Sequence, residues 1–131
     1  MSEDYEDLQQ CALSEDLESE LVQSQRECVF MWTNMSGEAF GVVMSYLPKD
    51  GNLWLTAAEH RARISAIRRF PRSSVCISSA GTRMGPNKTV SYKGTCTVLS
   101  DRATKDWFYP EFSRYLMGDG PRAQAFQKYL D

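Results

Sequence analysis

Hydrophobic residues recur along the chain with two different periods, and each period predicts one kind of element. Leu13, Leu17 and Leu21 follow helical spacing. Ser14, followed by two acids, is a typical helix start, so we predict a helix over residues 14–26. Dense runs of apolar and β-branched residues, bounded by turn-forming residues, predict five strands, over residues 28–33, 39–47, 53–56, 74–79 and 89–99.

The connections between these strands predict the fold. Proline and glycine within residues 48–51 predict a tight turn, after which the strand over residues 53–56 pairs antiparallel with its predecessor. A helix follows, beginning near Glu59 and ending before Pro71. Gly94 breaks the alternation of the fifth strand and indicates a bulge or a close backbone approach. The pattern favours a mainly β fold with flanking helices, built as a small antiparallel barrel.

The C-terminal residues are expected to be helical. The helical pattern runs from Asp101 to Tyr109, Pro110 resets its phase, and a final helix starts near Pro121. The chain is therefore expected to form a single domain over residues 14–131, preceded by an acidic, mobile segment over residues 1–13.

Charge is distributed unevenly, although the net charge is only −2. Residues 1–31 contain nine acids and one base, whereas residues 32–131 contain eight acids and fourteen bases. The basic part is therefore expected to bind the ligand. No exposed aromatic platform for nucleic acid is evident, and no apolar run reaches the ~20 residues of a membrane span. The acidic N-terminus lacks the basic region of a signal peptide, so we expect a cytoplasmic location.

The four cysteines and the single histidine do not suggest a structural metal centre. The cysteines form no Cys-x-x-Cys pair, which zinc sites commonly require. Cys28, Cys76 and Cys96 lie in apolar strands and are interpreted as buried, reduced thiols. His60 lies in a polar loop, where solvation is expected and ligation of haem iron is the alternative.

A cluster of arginines just beyond a strand end is the most informative segment. Arg61 and Arg63 lie close to the start of the predicted helix, and no acid follows Glu59 there. A guanidinium group presents a planar fork of donors that matches phosphate oxygens, and the free N–H groups of a helix start add to the attraction. We therefore expect a phosphate-bearing small molecule at Arg61 and Arg63. The remaining arginines of this segment are interpreted as a solvated helix face and its exit: Arg68, Arg69 and Arg72.

Three stretches, taken in order, resemble one known family. They are residues 51–56 (Gly-Asn-Leu-Trp-Leu-Thr), Arg63 with residues 71–75 (Pro-Arg-Ser-Ser-Val), and residues 90–98 (Val-Ser-Tyr-Lys-Gly-Thr-Cys-Thr-Val). This order and spacing resemble the pyridoxamine 5′-phosphate oxidase-like FMN-binding split β-barrels, over roughly residues 28–101. The resemblance implies a homodimer that holds FMN in two symmetric clefts between the subunits.

The resemblance also implies which residues contact the cofactor: Val42, Val43, Met44, Ser45, Leu55, Thr56, Arg61, Arg63 and Thr89. The first four belong to a strand that lies along the isoalloxazine ring, and the next four hold the ribityl phosphate. Thr89 approaches the flavin from the partner subunit. Arg63 stands eight residues before Pro71, as the phosphate-binding base of the family does.

The chain also departs from the true oxidases of that family. Phe40 and Ser45 stand where those enzymes carry basic residues, and one extra residue separates Thr56 from Arg63. The C-terminal substrate-binding motif, with its Trp and Arg, is not recognisable, so pyridoxamine phosphate oxidation is not expected.

The resemblance therefore implies a divergent FMN-dependent oxidoreductase that transfers hydride through flavin N5 to an unknown small molecule. No acid–base constellation is evident in the sequence, which is consistent with chemistry supplied by a cofactor. The alternatives are a deazaflavin-dependent reductase, a non-catalytic flavin- or haem-binding module, and a barrel used only for dimerisation.

Overall fold

The computed structural model describes residues 12–131, which form six strands and four helices. In chain order these elements are α1 (Glu15–Ser24), β1 (Glu27–Thr33), β2 (Ala39–Ser45), β3 (Leu47–Lys49), β4 (Asn52–Trp54), α2 (Ala62–Arg69), β5 (Arg72–Ser78), β6 (Thr89–Thr95), α3 (Arg102–Met117) and α4 (Pro121–Leu130). The segment predicted to be mobile, residues 1–13, lies almost entirely outside the described residues.

The strands form one antiparallel sheet and one separate hairpin. The sheet has the order β2-β1-β5-β6, and β3 pairs with β4 alone. Because side chains alternate along a strand, the sheet has an inner face, which carries the buried Phe30, Val75 and Ile77, and an outer face, which carries Val29 and Val43. The predicted antiparallel β fold with flanking helices is confirmed, whereas the strands do not close into a complete barrel among the described residues.

Two hydrophobic clusters hold these layers together. The first joins the inner face to Leu21 of α1 and Ile67 of α2. The second joins Leu47 of the hairpin to Phe108 and Phe112 of α3. The inner face of the sheet and one side of the hairpin are thereby covered, and the outer face of the sheet is left open.

The predicted strand over residues 39–47 is in fact two strands, so the chain has six strands instead of five. The break falls at Tyr46, a fully buried residue between β2 and β3. The sequence over residues 39–47 does not indicate this break, because both strands bury residues there and the apolar run is continuous. The following turn is also tighter than predicted: Asp50 and Gly51, with φ of 54° and 77°, form a two-residue hairpin loop.

Several predicted boundaries were wrong for identifiable reasons. Helix α3 continues through Pro110, because burial of Phe108 and Phe112 outweighs the one backbone hydrogen bond that proline removes. Helix α2 begins at Ala62 instead of near Glu59, and β6 ends at Thr95 instead of continuing to residue 99.

Gly94 does not mark a bulge or a close approach of the backbone. Its pairing with Ser73 continues the regular register of β5 and β6, and no heavy atom beyond its chain neighbours lies within 4 Å of a Cβ built on it. The glycine therefore leaves open space beside the strand.

The three described cysteines are free thiols, as predicted. Cys28 is buried, and its burial, followed by the influence of Cys76, raises the pKa of the Cys28 thiol to about 11. Cys76 and Cys96 are half-buried. Among residues 12–131, no helix is long and apolar enough to cross a membrane.

Replacement of Tyr46 with phenylalanine should lower the free energy of unfolding by about 1–2 kcal/mol. The Tyr46 hydroxyl donates a 2.7 Å hydrogen bond to the carbonyl of Val22, in the last turn of α1, where backbone carbonyls lack helical partners. Urea denaturation would measure the loss, with Tyr129→Phe as the control because Tyr129 is exposed on α4. Equal stability of the two variants would contradict this role of the hydroxyl.

Candidate functional site

The start of α2 is a helix end without a side-chain cap. Arg61 occupies the N-cap position in an extended conformation, and its side chain makes no capping hydrogen bond. The first turn of the helix contains no acidic residue. Since the first N–H groups of a helix have no partner within it, this end is both unsatisfied and positive.

Arg63 adds a buried donor to this helix start. Its Nε is inaccessible to solvent and has no hydrogen-bond partner among residues 12–131, although the side chain as a whole is half-buried. Burial, followed by the charge of Arg61, lowers the pKa of Arg63. The charges of Arg61 and Arg63 thus repel each other, and an anion bound at this helix start would relieve the repulsion.

The only acid of this segment is occupied elsewhere. Glu59 lies 3.5 Å from Arg68, in the last turn of α2. No carboxylate of the described residues forms an ion pair with Arg61 or Arg63. Arg68 is exposed and paired with Glu59, Arg61 is exposed, and Arg63 is half-buried.

The predicted ring-binding residues lie on β2, an edge strand of the sheet. Val42 and Met44 point to the inner face, and Met44 packs against the core cluster that contains Ile67 of α2. Val43, 62% exposed, and Ser45 belong to the outer face. Because β1 pairs with only one side of β2, alternate backbone N–H and C=O groups of β2 point away from the sheet. These groups could bind the polar edge of a planar ring.

Thr89 lies at the opposite edge of the sheet. It is the first residue of β6, exposed, and pairs with Ser78. Three strand spacings, ~14 Å in all, separate β6 from β2, so Thr89 and Val43 of one subunit do not meet. Both residues lie on the outer face of the sheet, where a second copy of the chain could bring one edge to the other.

Leu55 and Thr56 follow β4 and line an open cavity of about 1120 Å³, here called the interior cleft. The cleft lies between α1, the inner face of the sheet, the hairpin and α3. None of the other seven predicted cofactor residues lines it. The structure therefore divides the predicted residues between the cleft, the start of α2 and the two faces of the sheet.

Sequence patterns missed the interior cleft. Part of its lining comes from residues that the sequence marks as strand interior or as ordinary apolar packing, such as Phe30, Tyr92 and Trp54. Gly94 was the one residue of the sequence that could have indicated the cleft, because it lines the cleft and has no side chain to occupy it.

No candidate metal site is present in the described part of the chain. Residues 12–131 contain no group of three or more His, Cys, Asp or Glu side chains that could hold a metal ion. His60 is exposed in the loop before α2. The site can thus bind an anion through Arg61, Arg63 and the helix start, and a redox reaction there would depend on a bound cofactor.

Comparisons with known proteins indicate the fold. No model of a known protein family matches this chain, and no curated protein matches its sequence. The conserved hypothetical protein Rv2991 of Mycobacterium tuberculosis is similar in structure, with a TM-score of 0.77 and 18% identity over 92% of this chain and 76% of that one.

Two other similar structures have names that mention a cofactor. One is an F420 reductase, with a TM-score of 0.66 and 14% identity over 83% of each chain. The other is HutZ, described as a heme storage protein, from Vibrio cholerae, with a TM-score of 0.66 and 8% identity over 87% of this chain and 81% of that one. At such identities the likeness shows the fold alone.

Proposed function

We propose that this chain is a flavin-binding split-barrel oxidoreductase that holds FMN between two copies of itself. The observation that carries the proposal is the buried, unpartnered Nε of Arg63 beside Arg61 at an uncapped helix start. A phosphate placed there would accept hydrogen bonds from both guanidinium groups and from the free N–H groups of α2.

The ring of the cofactor would lie along β2. The unpaired backbone groups of residues 42–45 would hydrogen-bond its polar edge, and the side chain of Val43 would cover part of its surface. Leu55 and Thr56 would border the ribityl phosphate from the end of β4, and Thr89 would approach from the partner subunit. When bound, the flavin supplies hydride transfer at N5, while the protein supplies position and exclusion of water.

The proposed homodimer is supported by the open outer face of the sheet. Val29 and Val43, paired across β1 and β2, are 37% and 62% exposed. A Cβ added at Gly41 would lie 3.2 Å from Cγ1 of Val29 and 3.4 Å from Cγ of Met31, so these side chains lean over the glycine and form a continuous apolar surface. Contiguous exposed apolar surface of this kind is typical of protein interfaces.

Two other cofactors would use parts of the same site. A deazaflavin such as F420, named for one similar structure, would also place a phosphate at Arg61 and Arg63. Haem, named for another, would need an axial ligand, for which the exposed His60 is the only histidine.

The absorption spectrum of the purified protein, followed by titration with FMN, tests the proposal. We expect flavin bands near ~375 and ~450 nm, or saturable binding of FMN by the colourless protein, because the flavin carries the redox chemistry. Bleaching of the bound flavin by NADH or NADPH would show the reductive half of a reaction. A Soret band, or binding of F420 in place of FMN, would overturn FMN as the cofactor, and bound flavin that no reductant bleaches would overturn the enzyme assignment.

A further inference from the structure

The interior cleft has a polar pair on one wall that the cofactor site does not use. Lys105 and Tyr109, four residues apart on α3, both line the cleft and are both half-buried. Residues at this spacing lie on the same face of a helix. Neither the Lys105 ammonium nor the Tyr109 hydroxyl has a hydrogen bond or ion pair with any side chain or backbone group described here.

No carboxylate among the described residues forms an ion pair with Lys105, although the hydrogen bonds from Thr104, followed by the charge of Lys105, contribute to lowering the pKa of Asp101. Asp101, one helical turn before it, accepts hydrogen bonds from the backbone and the hydroxyl of Thr104. Glu111 binds Lys49 at 2.8 Å, at another point of the cleft. Across the cleft, Glu18 accepts a 2.6 Å hydrogen bond from the hydroxyl of Tyr92, and the burial of that hydroxyl, followed by this bond, raises the pKa of Tyr92 to about 12.

The remaining lining of the cleft is mixed, with the acids Glu15, Glu18 and Asp50 as well as an apolar part. Phe108 packs beside Trp54 and Tyr109. Leu53 and Leu55, on either side of Trp54 in the sequence, also line the cleft and pack against the first hydrophobic cluster. Leu99 lines the cleft and is 48% exposed, so apolar surface remains uncovered there. Gly94 has no side chain, and the open space beside it gives further room in the cleft.

We propose that the interior cleft binds an amphipathic carboxylate, an elongated apolar molecule with one anionic end. The carboxylate would bind the Lys105 ammonium and the Tyr109 hydroxyl, and the apolar chain would lie against Leu53, Leu55 and Leu99. The cleft is large enough for such a molecule, since its 1120 Å³ slightly exceeds typical small-molecule sites of roughly 300–1,000 Å³. This site goes beyond the proposed FMN site and shares only Leu55 and Thr56 with it.

Octanoate and octylammonium, two probes of equal chain length and opposite charge, test the inference by titration of the cofactor-free protein followed by ¹H–¹⁵N NMR. We expect octanoate to bind roughly tenfold more tightly than octylammonium and to shift the amide signals of Gly94, Lys105 and Tyr109. Equal binding of the two probes, no binding of octanoate, or shifts confined to other residues would overturn it.

Three variants test separately the contributions of the Lys105 charge and of the open space beside Gly94 to octanoate binding. Lys105→Gln should weaken octanoate binding roughly tenfold, whereas the control Lys128→Gln, on the exposed side of α4, should leave it unchanged. Gly94→Leu should block the chain by filling the open position, without strain, because Gly94 has no positive φ. Unchanged octanoate affinity in Lys105→Gln overturns the inference even if Gly94→Leu fails to fold. None of these outcomes depends on FMN, so they test the proposed ligand of the interior cleft independently of the proposed function.

Discussion

Replacing Val29 with glutamate should convert the proposed dimer into a monomer and reduce the proposed FMN binding by more than about 100-fold. Val29 lies on the outer face of β1, outside the set of predicted cofactor contacts, and its side chain is 37% exposed in the single subunit. A glutamate there remains hydrated in the monomer, whereas a two-fold interface would bury two of them without partners. FMN affinity should fall because, in the proposed complex, Thr89 of one subunit would reach the ring only across that interface.

Analytical ultracentrifugation and FMN titration measure the two effects, with far-UV circular dichroism to confirm the fold. The control is Tyr129→Glu, which places the same charge on an 81% exposed position of α4. A Val29→Glu protein that remains dimeric would exclude the outer face as the interface. A monomer with unchanged FMN affinity would exclude a site shared between subunits.

The order of elements was predictable from the sequence because the local signals were strong. Ser14 accepts a hydrogen bond from the backbone N–H of Leu17, as expected of a helix cap, and Pro121 is the first residue of α4. Each signal depends on a few neighbouring residues and requires no knowledge of the remaining fold. The predicted strands and helices were therefore found in the predicted order.

The errors fall where tertiary packing overrides a local signal. The break at Tyr46 depends on a hydrogen bond to Val22, a residue of another element. Continuation of α3 through Pro110 depends on packing of Phe108 and Phe112 against Leu47. In both cases the deciding contact is distant in sequence, so no window of neighbouring residues could have revealed it.

The candidate site was predictable only in part, for a related reason. The arginines were visible because charge just after a strand end is a local pattern. The unpaired state of Arg63 depends on Glu59 being 3.5 Å from Arg68, which is a matter of three-dimensional geometry. The interior cleft was missed because an empty volume has no residues of its own and arises only from the way in which α1, β6 and α3 surround it.

Replacing Arg63 with glutamine should weaken the proposed FMN binding by roughly 10- to 100-fold while leaving the proposed dimer intact. The variant removes one charge and the fork of donors, including the buried Nε that has no partner among residues 12–131. Folding should be little affected or slightly improved, because burial and the charge of Arg61 already disfavour the charged form of Arg63 and lower its pKa. A side chain that lowers the stability of the ligand-free protein and strengthens the binding of a ligand is typical of a binding site.

Arg69→Gln is the matched control, since it makes the same change in the exposed last turn of the same helix. Titration of both variants with FMN and with riboflavin, which lacks the phosphate, locates the contact. Arg63→Gln should bind the two flavins with similar affinity, whereas the unmodified protein and Arg69→Gln should both prefer FMN. If Arg63→Gln keeps the full preference for FMN, the phosphate does not lie at the start of α2. If Arg69→Gln loses the preference for FMN to the same extent, the attraction comes from the overall positive charge of the helix instead of from the half-buried Arg63.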